Sequence, residues 1–515
     1  MKLRMTLNFN LKRFAGAHLM IRKTSLLAVL TGCLGCVVAL PSLADEAALQ
    51  RRIDQMQAQQ KEFMHELERL RAELAAGEEE PPGAAHQAAS QTAPEQAGAV
   101  AGVPRKAEPG RIDEVERKQS VLTGEVRKLR EALVLPEKKE MKSVYGLGPA
   151  ASKVYQVNQG LSIGGYGEAN FRKQVSDKNG ADDEFDFVRF VLYFGYKYND
   201  WIVFNSEVEF EHAGTESTVS AGEGAVSVEF AALDFLLHPA VNVRAGMMLA
   251  PVGFMNQIHE PPFYYGNRRP PVERQIIPTT WRANGVGLFG QLAPGLTYNA
   301  YGVTSLNAVG FSAANLRDAR QGGNRAKAND WSFIGRLDYE PIANWGWTLA
   351  GSAYIGDQGQ NELIGPADMR EKPGVFTQLY EVHTQIERRN FHFRALGTTV
   401  LIDDAGLLSA DPDIDGPIAK QMLGAYAEVA YDILPHILPG TTHSLSPWFR
   451  YSWLDTQNNM PAGFTRDRSQ RRQFFEFGLQ YKPVPQVVLK AEYRIEDRQG
   501  GDLPDGIQLG GGFVF

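Results

Sequence analysis

From Leu161 to the end of the chain, about sixteen runs of period-two hydrophobicity follow one another, and the connections between them alternate long and short. The short ones include Asn199-Asp200, 238–240, 293–295, 341–344 and Pro483-Val484; the long ones include 212–224, 251–283, 305–329, 356–374, 403–419 and 456–469. One connection, near 435–442, is longer than the short class predicts. A soluble sandwich has no reason to keep such a rhythm, whereas a membrane barrel has short turns at one end and long loops at the other. Most runs are long enough to cross a bilayer as tilted strands, about 9 to 11 residues. The last run, 507–515, sets Ile507, Leu509, Phe513 and Phe515 on one face against Gln508, Gly510, Gly512 and Val514 on the other. A flat apolar strand ending a chain invites aggregation unless it pairs with the first strand of a closed barrel. The expected fold is therefore all-β: a 16-stranded antiparallel transmembrane β-barrel over 155–515. An even strand number puts both barrel ends on the same side.

The faces divide by chemistry. In 201–211, Ile202, Phe204, Val208 and Phe210 oppose Asn205, Glu207, Glu209 and Glu211; in 185–198, Val188, Phe190, Leu192, Phe194, Tyr196 and Tyr198 share one face. Charged faces cannot point into lipid without several kcal/mol per residue, so they face a wet lumen. The basic residues placed there are Arg189, Lys197, Arg244, Arg336, Arg394, Arg450, Lys490 and Arg494, interleaved with acids such as Glu207, Glu209, Asp338, Glu381, Glu492 and Glu496. Tyr196, Tyr198, Trp201, Trp345 and Tyr481 sit at strand ends, as in an interfacial aromatic girdle.

Upstream, residues 1–44 read as an export signal: Arg22-Lys23 form a basic flank, 24–40 an apolar core, and Ser42-Leu43-Ala44 a cleavage site. Leu30-Thr31-Gly32-Cys33 also fits a lipobox, but the apolar run continues past Cys33. This leader holds both cysteines, six Lys or Arg and no acid, so its removal takes the formal net charge from -7 to -13. That excludes a disulfide framework in the remainder and argues against nucleic acid as a partner. Heptad seams run through Leu49, Ile53, Met56, Gln60, Phe63, Leu67, Leu70 and Leu74, and through Ile112, Val115, Gln119, Leu122, Val126, Leu129 and Leu133. They predict two coiled-coil segments, 45–76 and 111–135, which need self-association to bury a narrow seam. Between them, 77–110 lacks large apolar residues and reads as a flexible linker. Residues 137–158 read as a lead into the barrel.

Several stretches resemble the phosphate-selective porin O and P family of Gram-negative outer membranes. They are Leu161-Ser-Ile-Gly-Gly-Tyr-Gly-Glu-Ala-Asn-Phe171, Val243-Arg-Ala-Gly-Met-Met-Leu-Ala-Pro-Val-Gly-Phe254, Asn284-Gly-Val-Gly-Leu-Phe-Gly290 and the terminal Phe515. The resemblance implies a trimeric barrel in outer-membrane lipid, an anion path lined by basic residues, and a third long loop folded inward. Here that loop is 251–283, stiffened by Pro261, Pro262, Pro270, Pro271 and Pro278. Its Arg268, Arg269, Arg274 and Arg282 are the expected anion-steering constriction, with Glu260 and Glu273 as acids that could neutralise them. The remaining lumen candidates are Arg189, Arg244, Arg336, Arg394, Arg450, Lys490 and Arg494.

The expected activity is passive, anion-preferring diffusion of phosphate or other small anions, with no enzyme chemistry, no cofactor and no metal. The alternatives are a general porin without anion preference and a structural anchor whose periplasmic coiled coil ties the membrane to the cell wall. His383 and His392 lie on adjacent strands; with Arg388-Arg389 as the turn, His383 would face Arg394, which suits ordinary lumen histidines better than metal ligands. Asp403, Asp404, Asp411, Asp413 and Asp415 make one external loop acidic, either solvated or a weak Ca²⁺ site.

Overall fold

The computed structural model describes residues 141–175, 182–212 and 224–515, with Arg117 alone before them. The leader 1–44, the linker 77–110 and the heptad segments 45–76 and 111–135 lie outside the described residues, Arg117 excepted. From Gly160 onward the chain runs through strands β1 (Gly160–Gln174), β2 (Glu184–Lys197), β3 (Ile202–Glu211), β4 (Ala225–His238), β5 (Val241–Leu249), β6 (Arg282–Ala293), β7 (Leu296–Thr304), β8 (Trp331–Tyr339) and β9 (Trp347–Gly356). It continues through β10 (Thr377–Arg388), β11 (Phe391–Ile402), β12 (Gln421–Tyr431), β13 (Ser444–Asn459), β14 (Arg471–Val484), β15 (Val487–Arg498), β16 (Gly501–Asp502) and β17 (Gly506–Val514).

Each long strand pairs antiparallel with its neighbours in sequence, and β17 closes the ring on β1 with Tyr166 opposite Val514 and Lys173 opposite Ile507. β16 is only a two-residue rung on the end of β15, so the wall has the sixteen staves expected from the pattern. Closure removes the edge that the terminal strand would otherwise expose. Outward side chains such as Leu161, Ile163, Phe194, Tyr196, Val286, Phe333, Leu337, Val382, Phe477 and Leu489 are exposed. Soluble surfaces rarely carry so extensive an apolar patch, and lipid is its natural solvent. No helix among the described residues is long and apolar enough to cross a membrane.

Three details depart from the expected pattern. Between Asp186 and Arg189, β2 carries one residue more than β1 does between Glu168 and Asn170. This bulge breaks the alternation, so Val188 borders a cavity inside the barrel instead of joining the outer face of Phe190, Leu192 and Phe194. The β10–β11 turn is Arg389-Asn390, with Arg388 opposite Phe391. His383 therefore faces Leu396, and Arg394 faces Gln385. Arg389 has φ 53°, a left-handed conformation suited to a tight hairpin. The over-long connection after β12 contains a helical turn, Leu434–Ile437.

The lumen is occupied. Loop 251–281 enters it from the long-loop end. Above that loop, buried residues of the other long loops (Phe311, Leu316, Ile364, Leu408, Ile414 and Ile418) pack with wall residues Tyr301, Ile334, Tyr354 and Leu396 in one apolar cluster. From the other end, residues 141–156 fold inward, ending in a 3-10 helix (Ala151–Gln156). Leu147, Ala150 and Ala151 pack against the lumen-facing Tyr166, Val191, Tyr193 and Phe230. The stretch read as a lead into the barrel is thus, from residue 141, part of its interior.

Candidate functional site: the inserted loop and its arginines

Loop 251–281 is held on two sides. On one, Val272, Ile276 and Ile277 of a short helical turn (Pro271–Gln275) and the residues after it are fully buried. Gly424 on β12 admits that turn: a Cβ there would stand 2.7 Å from Ile276 and 2.9 Å from Val272. Glu273 ties the turn down, accepting from the Phe254 and Met255 amides at 2.8 Å each and from the Tyr426 hydroxyl at 2.6 Å. On the other side, the wall grips the loop backbone. Lys490 donates to the carbonyls of Tyr264 at 2.9 Å and Gly266 at 2.8 Å. Arg450 donates to the carbonyls of Tyr265 at 3.2 Å and Arg268 at 3.4 Å. Gly266, at φ +81°, passes so close to the wall that a Cβ would meet Arg450 at 3.0 Å and Glu492 at 3.1 Å.

The basic residues on the wall are matched by partners. Arg189 pairs with Glu168 at 2.8 Å and Glu209 at 2.9 Å; Arg244 pairs with Asp234 at 2.7 Å. Arg336 pairs with Asp338 at 2.7 Å and donates to the Gly253 carbonyl at 2.6 Å. Across β11 to β15, Arg394, Glu428, Arg450, Glu476 and Arg494 are successive register partners, forming a row of alternating charge around the barrel. Within it, Arg450 reaches Glu428 at 2.9 Å and Glu476 at 2.7 Å, and Arg494 reaches Glu476 at 3.8 Å. Arg394 donates to Gln385 at 3.0 Å and stacks over Phe254 at 4.4 Å. The two histidines are absorbed likewise: His383 contacts Glu381 at 2.8 Å, and His392 lies 3.2 Å from Glu387 and 3.4 Å from Glu428. In the acidic loop, Arg370 bridges Asp411 at 3.2 Å and Asp413 at 2.5 Å.

Three of the four loop arginines differ. Arg268, Arg269 and Arg274 make no ion pair among the described residues, and one buried guanidinium nitrogen of Arg269 has no hydrogen-bond partner there. They line a cavity of about 170 Å³ near the long-loop end, shared with Arg172, Arg189 and Arg317. The acids expected to neutralise them are engaged elsewhere: Glu273 as above, and Glu260 on the backbone amides of Ala150 and Ala151. Of the four wall acids that line the cavity, Glu211 makes no ion pair among the described residues and the other three are taken. Glu168 pairs with Arg189, Glu184 with Arg172 at 2.6 Å, and Asp186 with His212 at 2.8 Å. Burial, and then the Arg274 charge, bring Arg268 down to about 10; burial, and then Arg317, bring Arg274 down to about 10. Both remain charged at neutral pH, crowded by like charges. Arg282, the fourth candidate, starts β6 and pairs with Glu229, so it stands apart from the other three.

Arg172, Arg317 and Arg320 were not among the expected residues. Arg317 and Arg320 belong to loop 305–330 and donate to the Thr279 carbonyl, which brings two more cations to the same region. Their signal was the basic excess of that loop, which gains meaning only when the loop is known to fold over loop 251–281.

No family model matches the chain. An uncharacterized protein of Aquifex aeolicus (strain VF5) is 38% identical over 381 residues, covering 72% of this chain and 83% of that protein. The chain belongs to that protein's family. Among solved structures, Salmonella typhi OmpF in complex with daunomycin has TM-score 0.47 at 12% identity, over 70% of this chain and 98% of that one. The outer membrane channel DcaP of Acinetobacter baumannii has TM-score 0.42 at 15% identity, over 69% and 97%. The anion-selective porin from Comamonas acidovorans has TM-score 0.41 at 12% identity, over 69% and 99%. The barrel architecture of this chain rests on its own strand register and closure.

Proposed function

We propose that the barrel is an outer-membrane porin that passes small anions, phosphate among them, by diffusion, and that Arg268, Arg269 and Arg274 set its preference. The observation that carries this is the lack of any ion pair for these three among the described residues, while the two acids of their own loop are bonded elsewhere. The chain is acidic overall, so net charge would predict the opposite sign. Distance decides between them: charges more than about 8 Å away are largely screened at physiological salt. At an effective dielectric of about 20, a unit charge at about 4 Å is worth about 4 kcal/mol before screening. A residual of about 1.4 kcal/mol biases permeation roughly tenfold. In this reading the long-loop end is external, both barrel ends face the periplasm, and the heptad segments there hold a homotrimer together.

The test is reversal potential in asymmetric KCl. The intact protein should be anion-selective, and R268A/R269A/R274A should lose most of that preference. Cation selectivity in the intact protein, or full anion preference in the triple variant, would overturn the assignment.

A second reading is favoured by the occupied lumen: the barrel as a membrane anchor whose periplasmic segments reach the cell wall. It predicts no conductance under any condition, and co-sedimentation of the full-length protein with peptidoglycan.

A further inference from the structure

Residues 141–156 lie inside the barrel without joining its sheet. Their only ladder-type contact among the described residues is a bridge between Val144 and Leu147, within the segment itself. Polar ties to the barrel gather around Ala150, Ala151 and Tyr155, whose hydroxyl also accepts from Arg244 at 3.4 Å. Glu260 of the inserted loop accepts from the Ala150 amide at 3.0 Å and the Ala151 amide at 3.4 Å. Asn205 on β3 donates to the Ala151 carbonyl at 2.8 Å, and the Tyr155 hydroxyl donates to Asp234 on β4 at 2.7 Å. Inside the segment, Ser152 stitches the fold, donating to the Leu147 carbonyl at 3.0 Å and accepting from the Val144 amide at 2.9 Å. These internal bonds give the segment a fold of its own, and a short unit of that kind can move as one piece.

The wall is shaped for it. A Cβ on Gly195 would lie 2.5 Å from Val154, and one on Gly164 would lie 2.8 Å from the Ala150 carbonyl oxygen. The seat therefore exists only because β2 and β1 carry glycine there. At the other end of the segment, Gly160 begins β1 with φ +91°, and nothing lies within 4 Å of where its Cβ would stand. The neighbouring Asn158 and Gln159 are exposed or nearly so, and the joint between segment and barrel is uncrowded.

We propose that residues 141–156 form a removable plug in the short-turn mouth of the barrel, latched to the inserted loop through Glu260 and seated on Gly164 and Gly195. This goes beyond the assignment of anion preference, though it rests on the reading that the barrel conducts. The plug sets how much current flows, and the arginines set which ions carry it.

The experiment uses the full-length protein in proteoliposomes and planar bilayers. Ala150→Cys, buried in the seat, is challenged from the short-turn side with a membrane-impermeant maleimide, the unsubstituted protein serving as blank. Labelling should be slow, and at least about tenfold faster when Gly195→Leu fills the seat of Val154. Gly195→Leu should also raise single-channel conductance about twofold or more. Gly397→Leu, at a position with open space around it, should change neither. Glu260→Ala should speed labelling while leaving the wall intact, a second route if Gly195→Leu fails to assemble. Equal labelling rates with and without Gly195→Leu would overturn the proposal. So would faster labelling without a rise in conductance. A cation-selective current that still grows with Gly195→Leu would sink the anion assignment and leave the plug standing.

Discussion

The wall of the barrel and the loop inside it both carry arginine, and the two sets meet different fates. On the wall, basic residues sit in register with neighbours on two strands. A charge at one position is answered by an acid across the ladder, as in the Arg394, Glu428, Arg450, Glu476, Arg494 row. Cross-strand pairing makes that compensation a product of strand order. The loop has no register. Its arginines take the positions left by proline turns and backbone clamps, and its acids are consumed in fixing the loop: Glu273 to the start of the loop and Tyr426, Glu260 to residues 150 and 151. Counting lumen charges therefore misleads. Wall cations such as Arg189, Arg244 and Arg450 pair with wall anions, and Arg450 and Lys490 hold the loop by its carbonyls. Arg268, Arg269 and Arg274, with Arg317 and Arg320 beside them, lie on loops that the ladder does not reach and make no ion pair among the described residues.

The largest expected effect of breaking this contrast is on stability. Arg450→Ala leaves Glu428 and Glu476 buried without their shared cation and removes a clamp on the loop. Losing one partner of a buried ionic cluster costs about 3–5 kcal/mol. Refolding into detergent followed by urea titration should show a loss of that size; a change within error would mean the row is not structural. Next is Tyr426→Phe, which removes the 2.6 Å hydrogen bond to Glu273. A hydrogen bond to a charged group contributes about 1.5–3 kcal/mol, so the same titration should register a smaller loss. Tyr426→Phe should also broaden the current distribution if the loop loosens.

The smallest effect should come from Arg494→Gln. Arg494 belongs to the compensated row and lies 3.8 Å from Glu476. It should shift the reversal potential by less than about a quarter of the shift seen in R268A/R269A/R274A, because a cation already answered by neighbours adds little field at the cavity. An equal shift would erase the distinction between wall and loop.

Much of the fold was legible along the chain itself. Alternation at period two is local, so strand positions, the number of staves and the length of each connection could be counted in order. The paired ends followed from an even count. The errors had local causes of their own kind. An added residue in β2 moved Val188 off the outer face, and the β10–β11 turn fell one residue later than expected, shifting His383 from Arg394 to Leu396. The first shows only as a change of phase, from Phe185 and Phe187 to Phe190, Leu192 and Phe194, and the second leaves no mark in hydrophobic periodicity.

By itself the sequence determined that this chain builds a barrel and that one long, proline-rich loop carries a surplus of arginine. Only the tertiary structure decided which of those arginines stay unpaired, because pairing depends on what lies across the lumen, and loops have no period from which to infer it. It also decided that 141–156 turns back into the barrel. That segment has no strand alternation, and the features that seat it, Gly164, Gly195 and Asn205 on three adjacent strands and Glu260 on the inserted loop, meet only in the folded barrel.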